Sequence, residues 1–169
     1  MADIIDLIYE DHDWFRRHFF YLDDARSTEE LTAIWEPLAQ RLDLHANAEE
    51  LIFYPVLLTK GKAGDPKEET EDAIHDHNEI RDAVRAAGNH PVGSPEWLAA
   101  VGQARTENGE HLDEEEREAI PDFLKSSSPE LRRELAMKWL RYFHAHTAVR
   151  DVDDSDKDPE QYIEEHTGR

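Results

Sequence analysis

The chain predicts an all-α protein: an up-down-up-down four-helix bundle with an additional C-terminal helix. Three observations carry that expectation. Apolar residues recur at helical spacing through five segments, with almost no strand-type alternation. Helix-start and helix-stop residues bracket most of these segments. The links between segments are short, which favours antiparallel neighbours.

The first helix is expected from about Asp3 to Arg26, with Ile5, Ile8, Phe15, Phe19 and Leu22 in register and His12 inside that stripe. Ser27-Thr28-Glu29-Glu30 reads as a capping box. It opens a second helix whose inner face carries Leu31, Ile34, Leu38, His45, Glu49, Ile52 and Val56, with Gly61 as the stop. After a loop through Lys67, the third helix runs from about Glu68 to Ala87, with Ala73, His77, Ile80 and Val84 inward and Gly88 as its cap. Ser94-Pro95 offers an N-cap and a first-turn proline for the fourth helix, which continues through Trp97, Ala100, Ala104, His111 and Glu115 to about Ile120. Gly102 and Gly109 weaken that helix by about 1 kcal/mol each relative to alanine. Ser128-Pro129-Glu130 starts the fifth helix, rich in Leu131, Leu135, Trp139, Leu140 and Phe143.

A chain of 169 residues suits one domain with its own core. Residues 1–148 are expected to form the bundle and its C-terminal helix, and residues 149–169 an acidic tail, mobile or loosely docked. The net charge of −21 argues against nucleic acid and against anionic membrane surfaces as partners. The absence of cysteine excludes disulfides, iron–sulfur clusters and thiol chemistry. No signal peptide and no membrane span can be read, so a cytoplasmic location is expected.

One metal-ligand pattern occurs twice. His12 is followed 33 residues later by His45-x-x-x-Glu49, and His77 is followed 34 residues later by His111-x-x-x-Glu115. Asp11-His12 corresponds to Asp76-His77, and each HxxxE is followed by a second glutamate (Glu50, Glu116) and, six residues after the motif glutamate, by a proline (Pro55, Pro121). Residues four apart on a helix share a face, so an imidazole and a carboxylate at that spacing can hold one metal site. A lone histidine on an apolar face is more often a hydrogen-bonded core residue, and HxxxE is common in acidic helices. The repetition in register separates these six from that background. Each also points toward the bundle interior, where an ionised carboxylate is costly without a compensating charge. No buried arginine or lysine is evident, so metal ions are expected to supply it. His18, His75, His90, His144, His146 and His166 fall off the pattern and are read as surface or packing residues.

One histidine on each odd helix and HxxxE on each even helix resembles the hemerythrin-like family, the HHE cation-binding domain. The resemblance covers about residues 1–148. It implies a four-helix bundle holding two iron ions with an oxo or hydroxo bridge, His12 and His45 on one iron, His77 and His111 on the other, and Glu49 and Glu115 bridging them. Oxygen-carrier members have a fifth histidine one turn before the third-helix ligand; here that position is Ala73. An open coordination position is therefore expected, which favours redox turnover over oxygen storage. The apolar residues Ile5, Ile8, Phe15, Phe19, Ile52 and Val84 are expected to restrict access to small molecules.

Two further residues bear on the site. In an ideal helix Tyr54 lies about 180° from His45, at the periphery. Pro55 permits a local distortion that would bring it in, as an iron ligand or a hydrogen-bonded neighbour. Glu118 follows Glu115 by three residues, as a proton relay or as a solvated helix end. The expected function is a non-haem di-iron protein reacting with small oxidants: hydrogen peroxide disproportionation, nitric oxide and peroxide chemistry, or oxygen binding. It leans toward a catalase-like or nitric oxide peroxidase-like oxidoreductase. The alternative is a non-enzymatic oxygen or iron sensor or storage protein. A ferritin-like oxidase fits less well, because such bundles pair Glu-x-x-His motifs.

Overall fold

The computed structural model describes residues 2–146 and 153–167. Among them the structure is all-α, with no strand. Four long stretches make the bundle: α1 (Ile4–Asp24), α2 (Thr28–Ala48) continued by a π-helical turn (Glu49–Phe53) and α3 (Tyr54–Lys60), α4 (Pro66–Gly88), and α5 (Pro95–Arg117) continued by α6 (Ala119–Ser126). The additional helix α7 (Pro129–Ala145) packs on α1, and a short α8 (Pro159–His166) packs on α4.

The helix starts follow from capping chemistry. The hydroxyls of Ser27, Ser94 and Ser128 accept from the N–H groups of Glu30, Trp97 and Leu131 at 3.2, 3.1 and 3.2 Å, satisfying donors that have no partner within their helices. Helix α5 runs unbroken through Gly102 and Gly109, where an added Cβ would meet nothing within 4 Å. The stretches that carry Pro55 and Pro121 deform just before those residues, where the ring removes an N–H and crowds the preceding turn. Before Pro55 the backbone widens into the π turn, with Tyr54 N–H bonded to Glu49 O. Before Pro121 it breaks at Glu118, with φ −122 and ψ −72.

Two apolar clusters sandwich a polar layer. Ile4, Ile8, Phe53, Leu57, Ile74 and Phe123 anchor one; Phe15, Leu38, Ile80, Trp97 and Leu112 anchor the other. Along each long helix the predicted ligand falls between a residue of one cluster and a residue of the other, so the site is held from both sides by close packing.

No helix among the described residues is long and apolar enough to cross a membrane. Positions 147 and 148, at the end of the expected bundle segment, and positions 149–152 and 168–169, in the expected acidic tail, lie outside the described residues. Residues 153–167 pack on the bundle: Asn47 Nδ2 donates to Asp153 O at 3.0 Å, Arg85 Nη1 to Asp154 O at 3.0 Å and Asn78 Nδ2 to Lys157 O at 2.8 Å.

Candidate metal centre

His12 and His77 project from the middles of α1 and α4. His45 and Glu49 straddle the junction of α2 with the π turn, and His111 and Glu115 end α5. All six are buried. Their donor atoms form two clusters, each within 4.8 Å: His12, His45, Glu49 and Glu115, then Glu49, His77 and His111. His45 Nε2 lies 2.9 Å from Glu49 Oε1, His77 Nε2 lies 3.2 Å from Glu49 Oε2, and His12 Nε2 lies 3.2 Å from Glu115 Oε2. Glu49 thus reaches both clusters, while Glu115 joins only the first.

Carboxylates behind the rings set their orientation. His12 Nδ1 donates to Glu116 Oε1 at 2.8 Å, His45 Nδ1 to Asp11 Oδ2 at 3.1 Å and His77 Nδ1 to Glu50 Oε1 at 2.9 Å; His111 Nδ1 lies 3.6 Å from Asp76 Oδ2. A carboxylate only accepts, so the bonded Nδ1 atoms carry the protons and the Nε2 lone pairs face inward. The pattern has two-fold regularity. The aspartate before each lone histidine backs the HxxxE histidine of its own half. The second glutamate after each HxxxE backs the lone histidine of the other half. Sequence reasoning counted these four acids as part of the repeat and gave them no task; their recurrence beside every ligand motif was the available signal.

One expectation needs correction. Arg81 is buried, 1 % exposed, and donates to Glu50 Oε1 at 2.8 Å. Its charge answers Glu50. Among the described residues no arginine or lysine pairs with Glu49 or Glu115, so the inner carboxylates still lack a fixed cation.

The donor set fits a metal. His12 Nε2, His45 Nε2, both Glu49 oxygens and Glu115 Oε2 are buried without a hydrogen-bond partner, a costly arrangement unless something occupies the space they face. His77 Nε2 and His111 Nε2 stand 3.2 Å apart; as neutral rings with protonated Nδ1 atoms they would oppose lone pairs. Burial works against the charged form of His45, yet Glu49 and Asp11 outweigh it and raise it to about 9. Burial likewise opposes His111, and Asp76 and Glu49 raise it to about 10. Glu49, despite burial, is held well below the usual carboxylate range by His45, His111 and His77. The interior is a well for positive charge, and mixed imidazole and carboxylate donors suit a first-row transition metal such as iron.

The π turn brings Tyr54 inside. The residue is buried, 0 % exposed, and its hydroxyl donates to Glu115 Oε1 at 2.8 Å. Burial, followed by Glu115 and Glu49, pushes the phenol well above its ordinary value, so it is a proton donor. Beside it a cavity of about 20 Å³, room for one water molecule, is lined by Tyr54, Ala73, His111 and Glu115 within and by Glu69, Asp72, Glu114 and Glu118 toward the surface. This opening is acidic where an apolar lining was expected. Glu118 is exposed at its rim, and Arg117 Nε donates to it at 3.1 Å. None of His18, His75, His90, His144, His146 and His166 joins a cluster among the described residues.

Fold and donor set together define a helical bundle that binds cations in its interior. The chain belongs to the hemerythrin HHE cation-binding domain family, whose pattern matches residues 3–123. The match runs from the start of α1 into α6, leaving α7 and α8 beyond it. No curated protein and no solved structure matches the chain.

Proposed function

We propose that the chain holds two iron ions, one at each donor cluster, and disproportionates hydrogen peroxide. The carrying observation is the buried set of inward-facing imidazole and carboxylate atoms without partners, beside an opening the size of one water at Ala73. His12, His45, Glu49 and Glu115 would hold one ion and Glu49, His77 and His111 the other. Bound iron supplies reversible electron transfer to and from an oxygen–oxygen bond. The reaction balances without another reductant: two peroxides give two waters and one dioxygen.

The chain's own residues do the rest. The small cavity excludes bulky substrates, and its rim of Glu69, Asp72, Glu114 and Glu118 disfavours anions while admitting neutral peroxide. The Tyr54 hydroxyl, held on Glu115 Oε1, keeps a proton at the inner wall of that cavity. The carboxylates of Glu116, Asp11 and Glu50 fix the His12, His45 and His77 rings. Nitric oxide and dioxygen are small enough to enter by the same opening.

A sensor reading has one observation of its own: residues 153–167 dock directly on Glu50, behind His77. Stopped-flow mixing of iron-loaded protein with excess peroxide separates the two. Repeated turnover with one dioxygen per two peroxides is expected. An Ala73→His variant, which fills the opening, should slow turnover while keeping iron bound. Reaction with a single equivalent, or bleaching alone, would sink the catalytic reading in favour of the sensor.

A further inference from the structure

We propose that Lys157, delivered by the C-terminal segment, is a positioning residue that tunes the electron donation of His77; the inference rests on the metal reading above. Lys157 Nζ lies 2.9 Å from Glu50 Oε2. The opposite oxygen, Oε1, accepts from His77 Nδ1 at 2.9 Å and from Arg81 Nη2 at 2.8 Å. Glu50 therefore carries two cations, whereas Glu116, its counterpart in the repeat, carries Arg16 alone at 2.8 Å.

The segment is pinned so as to place that amine. Asn78, the neighbour of His77, accepts from Lys157 N–H at 3.0 Å and donates to its carbonyl at 2.8 Å. Arg85 Nη2 contacts Asp156 Oδ1 at 2.5 Å. The Tyr162 hydroxyl donates to the Glu50 carbonyl, and Tyr162 and Ile163 are buried against the bundle. Asp156, Lys157, Tyr162 and Ile163 lie beyond the stretch that matches the family.

The physical consequence has a definite sign. A carboxylate behind an imidazole draws on the Nδ1 proton and makes Nε2 a stronger donor to a metal. A second cation on Glu50 weakens that draw, leaving His77 a poorer donor and the reduced metal state relatively favoured. Removing Lys157 should strengthen His77 and lower the reduction potential.

The test uses the full iron-loaded chain with Lys157→Met, which keeps the length and loses the charge, and Lys157→Arg, which keeps the charge. Metal content is measured first. Two irons in the wild type, together with a tenfold shift toward the oxidised form in Lys157→Met at fixed applied potential (about 59 mV for a one-electron couple), and recovery in Lys157→Arg, are expected. A Lys157→Met potential equal to wild type, or a Lys157→Arg variant that behaves like Lys157→Met, overturns the proposal. If Lys157→Met does not fold, Arg85→Ala takes its place: it loosens the segment without touching Glu50 and should lower the potential by a smaller amount, and an unchanged potential overturns the proposal. A wild type that binds no metal instead refutes the metal reading itself, and this inference with it.

Discussion

Glu49→Gln and Glu115→Gln should lose unequal amounts of metal-induced stability, because Glu49 contributes to both donor clusters and Glu115 to one. Binding to the folded state alone stabilises by about 2.7 kcal/mol per site when free metal is 100-fold above its dissociation constant. Two sites filled independently then contribute about 5.4 kcal/mol. In a chain of this length each kcal/mol moves the melting temperature by about 2–4 °C. Ferrous iron added anaerobically to the apo wild type should therefore raise it by about 11–22 °C. Glu115→Gln leaves Glu49, His77 and His111 intact and should keep about half of that rise, while Glu49→Gln should keep almost none. Scanning calorimetry of each variant with and without metal reads the shift against that variant's own apo form. Any effect of the substitution on bare stability thereby cancels. Equal shifts in the two variants would refute the unequal sharing, and no shift in the wild type would refute the six-residue site.

Three further outcomes are expected. Tyr54→Phe removes a buried hydrogen bond to a carboxylate and should destabilise the chain by about 1.5–3 kcal/mol, with no visible phenolate-to-iron band to lose; a wild-type band abolished by phenylalanine would show direct ligation instead. Asp122 accepts from Lys62 N–H at 2.9 Å, Ala63 N–H at 2.6 Å and the Ser126 hydroxyl at 2.9 Å; burial opposes its charge, these bonds outweigh burial, and its carboxyl is lowered from 3.8. The stabilisation is thus present above the unfolded value and lost as pH falls through the lower folded one. Asp122→Asn should be less stable at neutral pH by about 1–3 kcal/mol, with the difference shrinking in melts below the unfolded value; a gap constant with pH refutes the assignment. Gly102→Ala and Gly109→Ala, whose new methyls meet open space, should each stabilise by up to about 1 kcal/mol, and a lowered melting temperature would mean that face of α5 is not free.

Much of the bundle was legible because helices announce themselves locally. Ser27, Ser94 and Ser128 cap where the sequence places them, and the 3.6-residue period put the six donors in the interior. Tyr54 shows where local reading runs out. Ideal helix geometry sends it outward. The five-residue π turn before Pro55 changes the angular register of everything after it, so a residue on the outer face arrives inside. The docked segment was obscured for a different reason. An acidic composition signals solvation, but Asn47, Asn78, Arg85 and Glu50, far apart in sequence, together supply its partners. Arg81 was unreadable as a buried residue because its partner, Glu50, lies 31 positions away in sequence, on the π turn.

The repeat makes the donors alike and leaves the charges behind them unlike. Behind the first cluster each outer carboxylate has one arginine: Asp11 has Arg41 and Glu116 has Arg16. Behind the second, Glu50 has both Arg81 and Lys157, while Asp76 has neither arginine nor lysine among the described residues. The outer charge is balanced overall in both halves, two acids against two bases. Its placement differs within the second half, where His77 is backed by a doubly countered acid and His111 faces a bare one. His111 is also the histidine that lines the opening at Ala73. A small molecule entering there meets the imidazole whose nearest outer carboxylate carries no base and stands 3.6 Å from its Nδ1, whereas Glu50 holds the His77 ring at 2.9 Å. The asymmetry thus lies between two ligands of one cluster, at the point of access, rather than between the two clusters.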